Sequence, residues 1–546
     1  FRDTSVTAVT LPDSVTQIGS YAFYNCRWLA SINLTQNVRS IGEYAFANAV
    51  RLQNCGDLSS VTAIPEGCFL GCAQLDAVTL SANTRTVGAL AFADCSSLTE
   101  IVIPDSVTSI GAQAFEDCSA LTSLTLSASL TSFGEGALAG CTSLASVTVP
   151  EGSTRLTLED GNLYIGAQLI RYFAGDKEET SFTLPAGKTS VGANAFENAS
   201  ALTSLVFPAG TTLSRNALVG VTALESLTLP TLNFGEDDYL AALFGAPAQE
   251  TTGSRSFFIP STLSTVTFNG SVTELAPYAF YGATGLTAVE GLGELTSIGD
   301  GAFAYTGISS YEIPATVRSF GARVFEGCDI AAYAVEEGND FYRTYDGCLY
   351  STVGSLIAVP VGKETISFPD DMTVRSIGRY AFYGSAIETL VVPESVTSIG
   401  FAAFARMSAL TSLVTPVIGD GGDNAYMGYV FGSYMSIDTP STGGYSSLIV
   451  STTGNLPRNL TTLTVTGTYT ENITSFGAFS YYFTSVTQQS FAGTVSVGES
   501  AFRGTDLTSV DLSVANITDG AGLACFAELG SLAYIDLGST LTAIPN

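Results

Sequence analysis

Ser109-Ile110-Gly111-Ala112-Gln113-Ala114-Phe115-Glu116-Asp117-Cys118, followed by Leu121, Leu124 and Leu126, is one copy of a unit that recurs along the chain. Phe23, Phe46, Phe69, Phe92 and Phe115 are spaced by 23 residues, and Leu138 takes the next slot. Leu29, Leu52, Leu75, Leu98, Leu121 and Leu144 keep the same step, as do Ile18, Ile41, Ile64, Val87, Ile110 and Phe133. Within a unit the apolar residues alternate, as in Ile101 and Ile103, which is the mark of a strand with one buried face. Pro104 ends that strand because it has no N–H to give to a ladder. Ser106 to Ile110 reads as a second short strand, Gly111 as a corner, and Ala114-Phe115 as a compact segment of one helical or 3₁₀ turn. A unit this small cannot bury its Phe and Leu side chains alone, so the units must stack, each strand pairing with its equivalent in the next coil.

Further anchors at Phe196, Leu218, Phe280, Phe303, Phe325, Phe382, Phe404, Phe479, Phe502 and Phe526 carry the pattern to the end of the chain. The interruptions repeat as well. Asp160-Gly161-Asn162-Leu163-Tyr164 recurs as Asp346-Gly347-Cys348-Leu349-Tyr350, 186 residues later, and Leu243-Phe244-Gly245 as Val430-Phe431-Gly432, 187 residues later. The sequence therefore predicts one continuous solenoid over residues 1–546. Regular repeats fill 1–145 and 276–330, two cassettes with a D-G-x-L-Y hairpin and a long aromatic insertion fill 146–275 and 331–475, and terminal repeats fill 476–546. About twenty coils of 22–23 residues at about 4.8 Å each are expected.

The A-F-x-x-C-x-x-L-x-x-I-x-L-P pattern, carried by Ala114, Phe115, Cys118 and Leu121 and by Leu98, Ile101, Ile103 and Pro104, resembles the BspA-like leucine-rich repeats. The resemblance covers nearly the whole chain. It implies a curved right-handed leucine-rich-repeat solenoid, mainly β with short helical or 3₁₀ turns. It also implies a secreted or surface-attached protein that adheres or binds a ligand without catalysis. Leu138 and Leu218 depart from the pattern at the Phe slot.

Composition narrows the function. The 546 residues include 20 Lys+Arg, 50 Asp+Glu and no histidine, for a net charge of −30. Without histidine, His-based triads and imidazole metal sites are excluded. The acidic balance disfavours nucleic acid and anionic lipid as partners. Carboxylates alone could serve a glycan-active hydrolase, but no pair stands out in a cleft. No apolar run is long enough for a transmembrane helix. Cys26, Cys72, Cys95, Cys118, Cys141 and Cys328 each fall three residues after the Phe slot, so they read as buried free thiols packing in a ladder. No cofactor is expected.

Two surfaces are candidates for binding a protein or glycan. The first is the outward side of the main strands, a field of small polar residues such as Ser123, Thr125, Ser226 and Thr228. The second comprises the insertions, with Tyr239 and Phe257 in one and Tyr426, Tyr429, Tyr434 and Tyr445 in the other. Long loops on a rigid scaffold commonly carry recognition, and aromatic rings supply contact area at low entropy cost. There, Phe244 and Phe431 are expected to be buried and the tyrosines to face outward. Asp237, Asp238, Asp420 and Asp423 are oxygen donors suited to Ca²⁺, though without a D-x-D-x-D-G loop. The first residues, Phe1 to Val9, align with Phe502 to Val510, so the chain starts inside a repeat. It reads as a fragment of a longer surface protein, or as a subunit of an extracellular filament or layer with homotypic end-to-end contacts.

Overall fold

The computed structural model describes residues 1–174, 179–231, 239–246, 258–420, 427–432, 435–436, 449–450, 459–466, 488–491, 502, 507–511, 526 and 529–537. The chain divides into two compact units, one of Phe1–Val272 with Gly282–Gly291, the other of Thr273–Tyr281 with Leu292–Asn546. Both are leucine-rich-repeat solenoids, mainly β, and together they hold about 18 turns, close to the repeat count.

Each coil contributes a main strand whose alternation buries one side. Glu100–Val102 is exposed, buried, exposed, and it pairs in parallel with Ser123–Thr125 through Glu100↔Ser123, Ile101↔Leu124 and Val102↔Thr125. A second parallel sheet is built from two-residue strands, Thr86–Val87, Ser109–Ile110 and Ser132–Phe133. The main sheets hold register across both insertions. Ser226–Leu229 pairs with Thr265–Phe268 in the first unit, and Ser412–Thr415 with Thr462–Val465 in the second. The strands on either side of each insertion therefore keep the register of the stack.

The Ala-Phe segment is a run of tight turns; the short helical pieces, Leu240–Phe244 (3₁₀) and Met427–Phe431 (α), lie in the insertions. The N–H of Ala22 bonds Gly19 O, that of Tyr24 bonds Tyr21 O, and that of Cys26 bonds Phe23 O, while Tyr21 and Asn25 sit at φ 59° and 57°. The N–H groups between those bonds reach the next coil, Tyr21 to Glu43 O, Phe23 to Ala45 O and Asn25 to Ala47 O. The turns thus form a third backbone ladder along the stack. The second left-handed position is filled by Asn25, Asn48, Gly71, Asp94, Asp117 and Gly140 in successive coils, residue types that tolerate this conformation.

Inside the ladder the phenylalanines stack. Phe1, Phe23, Phe46, Phe69, Phe92 and Phe115 follow one another at centroid distances of 5.2, 5.4, 5.5, 5.4 and 5.6 Å, nearly parallel. The nine described cysteines are free and buried. Their role exceeds filling space. The thiols of Cys72, Cys95, Cys118 and Cys141 donate to the carbonyls of Phe46, Phe69, Phe92 and Phe115 in the preceding coil at 3.1–3.3 Å. Cys55, off that ladder, takes an inward position on the main strand Asn54–Gly56.

The D-G-x-L-Y units are antiparallel hairpins. Leu156–Glu159 pairs with Asn162–Ile165, which pairs with Gln168–Arg171, and that last strand rejoins the parallel stack at Ser190–Val191. Tyr342–Tyr345, Cys348–Ser351, Ser355–Ala358 and Ser376–Ile377 repeat the arrangement. Asp160-Gly161 and Asp346-Gly347 all have positive φ, as a type I′ hairpin turn requires.

Candidate functional site

The main-strand face is more constrained than its Ser and Thr content suggests. Ser123 is exposed, but Thr125, Ser226 and Thr228 are half-buried by their neighbours along the ladder. Ser226 and Ser204 share a hydrogen bond between their hydroxyls at 2.9 Å. Thr122, Thr203 and Thr287, at the strand entries, donate to Thr99, Thr180 and Ser264 carbonyls of the preceding coil at 3.2 Å. Many of the hydroxyls thus tie coil to coil. The face is also not uniformly polar: Val102 and Val391 are 61% and 58% exposed. It is a mosaic of hydroxyls, carboxylates such as Glu100 and Glu290, and isolated apolar side chains.

In the insertions, Phe244 and Phe431 are buried as expected. Tyr239 is not an outward residue. It is 7% exposed, precedes the 3₁₀ helix Leu240–Phe244, and accepts a hydrogen bond from Arg215 at 3.2 Å. Arg215 also reaches the carbonyl of Ala246, so it holds both ends of the short helix, and this is what draws the tyrosine inward. Tyr429 is half-buried, edge-on to Phe401 at 5.4 Å. Phe257, Tyr426, Tyr434 and Tyr445 lie outside the described residues, as do Asp237, Asp238 and Asp423. Asp420 is half-buried, and no cluster of three or more potential metal ligands occurs among the described residues. Nor, among them, is any helix long and apolar enough to cross a membrane.

A third cluster lies on the turn face of the second unit. Its sequence signal is Tyr-Ala-Phe-Tyr, found at 21–24, 278–281 and 380–383. In all three the Phe enters the core and the two tyrosines meet edge to face outside it, at 5.5, 5.8 and 6.0 Å. An arginine covers two of the pairs: Arg2 lies 5.6 and 5.0 Å from Tyr21 and Tyr24, and Arg323 lies 4.7 and 5.7 Å from Tyr380 and Tyr383. At the centre sits Glu326, 8% exposed. Its Oε1 accepts from the hydroxyls of Tyr305 at 2.6 Å and Tyr383 at 2.8 Å, and Arg323 closes the ion pair at 3.2 Å. Burial, and then the bond to Glu326, pushes Tyr305 up to about 12.

In the first unit the equivalent place holds an ion pair. Arg171, 1% exposed, donates to Glu197 at 2.6 Å, and the same carboxylate accepts the N–H of Gly140 at 2.9 Å. Beside it opens a cleft of about 300 Å³, lined by Thr142 to Ala145, Tyr172 to Ala174 and Asn198.

Among proteins of curated function, none matches. A leucine rich cell surface protein of Faecalibacterium prausnitzii is 26% identical, with 61% of this chain and 79% of that one covered, at a TM-score of 0.43. Leucine-rich repeat proteins of Eubacterium ventriosum (21% identical, 60% and 84% covered, TM-score 0.41) and Bacteroides ovatus (23%, 75% and 87%, 0.37) are also similar. The model of the BspA type leucine rich repeat region matches in six copies, at residues 1–121, 62–159, 169–238, 246–338, 362–427 and 458–546. The chain belongs to the BspA-type leucine-rich repeat family.

Proposed function

We propose that the protein is a non-enzymatic recognition or adhesion protein of the cell surface or extracellular space, binding a protein or glycan through its main-strand face and its aromatic insertions. The observation that carries the reading is the pairing of Ser226–Leu229 with Thr265–Phe268, and of Ser412–Thr415 with Thr462–Val465, straight across the two insertions. A rigid sheet that carries a long segment without losing register suits recognition, where a stable scaffold presents variable loops. The family points the same way, toward interaction rather than chemistry. The nine described thiols, strong nucleophiles when ionised, are committed to the core, where burial pushes Cys55 and Cys141 up to about 12.

The test is a glycan and extracellular-matrix array probed with the full chain and with a Tyr426→Ser, Tyr429→Ser, Tyr434→Ser triple variant. Loss of binding is the expected result, with a modest fall in melting temperature from the half-buried Tyr429 ring. A triple variant that binds every target like the wild type would remove the insertion from the reading, and failure of the wild-type chain to bind anything would remove the reading itself.

A further inference from the structure

We propose that the tyrosine and arginine cluster on the turn face of the second unit is a docking surface for an extended, carboxylate-bearing segment of a partner protein. The cluster is a row. Tyr281 meets Tyr305 at 5.3 Å, Tyr305 and Tyr383 share Glu326, and Arg406 lies 5.4 Å over the ring of Tyr383. Its residues belong to the coils of Phe280, Phe303, Phe325, Phe382 and Phe404. With the hairpin unit between the coils of Phe325 and Phe382, the row spans five spacings of about 4.8 Å, roughly 24 Å, the length of about seven residues of extended chain.

Charge selects the occupant. In a chain of 50 acids and 20 bases, this row gathers Arg379, Arg406 and Arg323 with two carboxylates, Asp300 paired to Arg379 and Glu326 paired to Arg323; the occupant is selected by what remains, and Glu326 leaves nothing over. That carboxylate, Glu326, is buried and consumed by two tyrosines and Arg323. Arg406 is exposed and makes no ion pair among the described residues; its contact is the ring of Tyr383. The contact with the ring holds the guanidinium at the surface, and its N–H groups can grip an incoming carboxylate with two parallel bonds. Tyr305, 36% exposed, presents a ring whose hydroxyl is already anchored, so little entropy is lost when a partner covers it. Tyrosine and arginine are the residue types that dominate protein interfaces, and ring and guanidinium are both pre-ordered here. The surface shares no residue with the main-strand face or with the tyrosines of the insertions tested above.

The experiment is selection of a random dodecapeptide display library on the full chain, followed by binding of the selected peptides to the wild type and to Arg406→Gln. The expected result is a pool enriched in Asp and Glu over the naive library. Binding should weaken with salt and fall roughly five-fold in Arg406→Gln, the loss of one charge-assisted contact. Arg406 is exposed, so the variant should fold, which circular dichroism checks. Tyr305→Ser, which removes the ring, should weaken the same peptides, and Glu-to-Gln copies of the peptides should bind less. A pool without acidic enrichment, equal binding by Arg406→Gln, or capture of acidic oligosaccharides in preference to acidic peptides would each overturn the proposal. None of these outcomes touches the insertion test, so the two readings fail separately.

Discussion

Tyr383 donates its hydroxyl to Glu326 at 2.8 Å across 57 residues of sequence. The hairpin unit of the second cassette lies between them, so the bond joins the coil before the hairpin to the coil after it. The first cassette makes the same connection with other chemistry. Glu197, at the position equivalent to Tyr383 given the 186-residue offset, accepts the N–H of Gly140, again 57 residues away. A duplicated slot has kept its task, bridging the hairpin, while its residue changed from acceptor to donor.

This bridge makes the carboxylate the dominant partner in the second unit. Tyr383→Phe removes one hydrogen bond and should cost about 1 kcal/mol. Glu326→Ala leaves Arg323 and two tyrosine hydroxyls without their acceptor and should cost about 3 kcal/mol. Denaturant unfolding of both variants checks the order; equal losses would contradict it.

The thiol ladder predicts chemical silence. Cys95 is fully buried, burial pushes its thiol well above the ordinary range, and its hydrogen is committed to Phe69 O at 3.3 Å. Iodoacetamide should leave the nine described thiols unmodified in the folded protein and alkylate them in denaturant. Cys95→Ala should destabilise by about 1–2 kcal/mol through lost volume and a lost donor, and Cys95→Ser by less, because a hydroxyl can replace the bond. Rapid labelling of the native protein would show the ladder to be open.

A left-handed turn position and a close approach between coils give substitutions of opposite sign. Leu90 holds φ 55° with a bulky side chain, a conformation costing about 1–2 kcal/mol outside glycine. Leu90→Gly should therefore stabilise by up to about 1 kcal/mol once the unfolded-state entropy of glycine is charged against it. Gly111 is the reverse case: a Cβ there would lie 2.3 Å from the backbone nitrogen of Ala89 in the preceding coil. Gly111→Ala must push the coils apart and should destabilise strongly. Melting temperatures of the two variants read the sign directly.

The contrast between Gly111 and Leu90 also marks what the sequence reveals. The solenoid was legible because a period of 23 is enforced by contacts between equivalent residues: Phe92 can stack on Phe69 and Phe115 only if each coil returns it to the same place. The hairpins were legible because Asp160-Gly161 and Asp346-Gly347 are type I′ pairs. The turn ladder was less so, since an Ala-Phe segment has helix-compatible composition. The deciding evidence, Asn, Asp or Gly two residues after the Phe, becomes clear only when the coils are aligned. Interaction surfaces were least legible. Tyr239 looks like a loop aromatic until Arg215 is seen to hold it in the core. The cluster around Glu326 depends on residues from 305 to 383, brought together by the way the hairpin leaves the stack. A repeat fixes position along the coil, but contacts across an interruption depend on its three-dimensional path.

Alkaline pH should loosen the structure at its protected tyrosines. Burial, followed by the bond to Glu326, raises Tyr305 from the ordinary 10 to about 12, and burial with the nearby Glu159 and Asp160 charges raises Tyr164 to about 12. Both groups bind their proton more tightly folded than unfolded. Below pH 10 both states are protonated and the stabilisation is complete. Between pH 10 and about 12 the unfolded chain loses protons that the folded chain keeps, so stability falls as pH rises through that window. Tyr305→Phe and Tyr164→Phe remove one titrating group each, and each variant should lose stability less steeply than the wild type across the same range. For Tyr305 the substitution also deletes a bond to Glu326, so the variant should start lower and decline more gently, and its curve should converge on that of the wild type. Denaturation midpoints measured at intervals from pH 9 to 12 distinguish this from a merely structural loss, in which the two curves would run parallel.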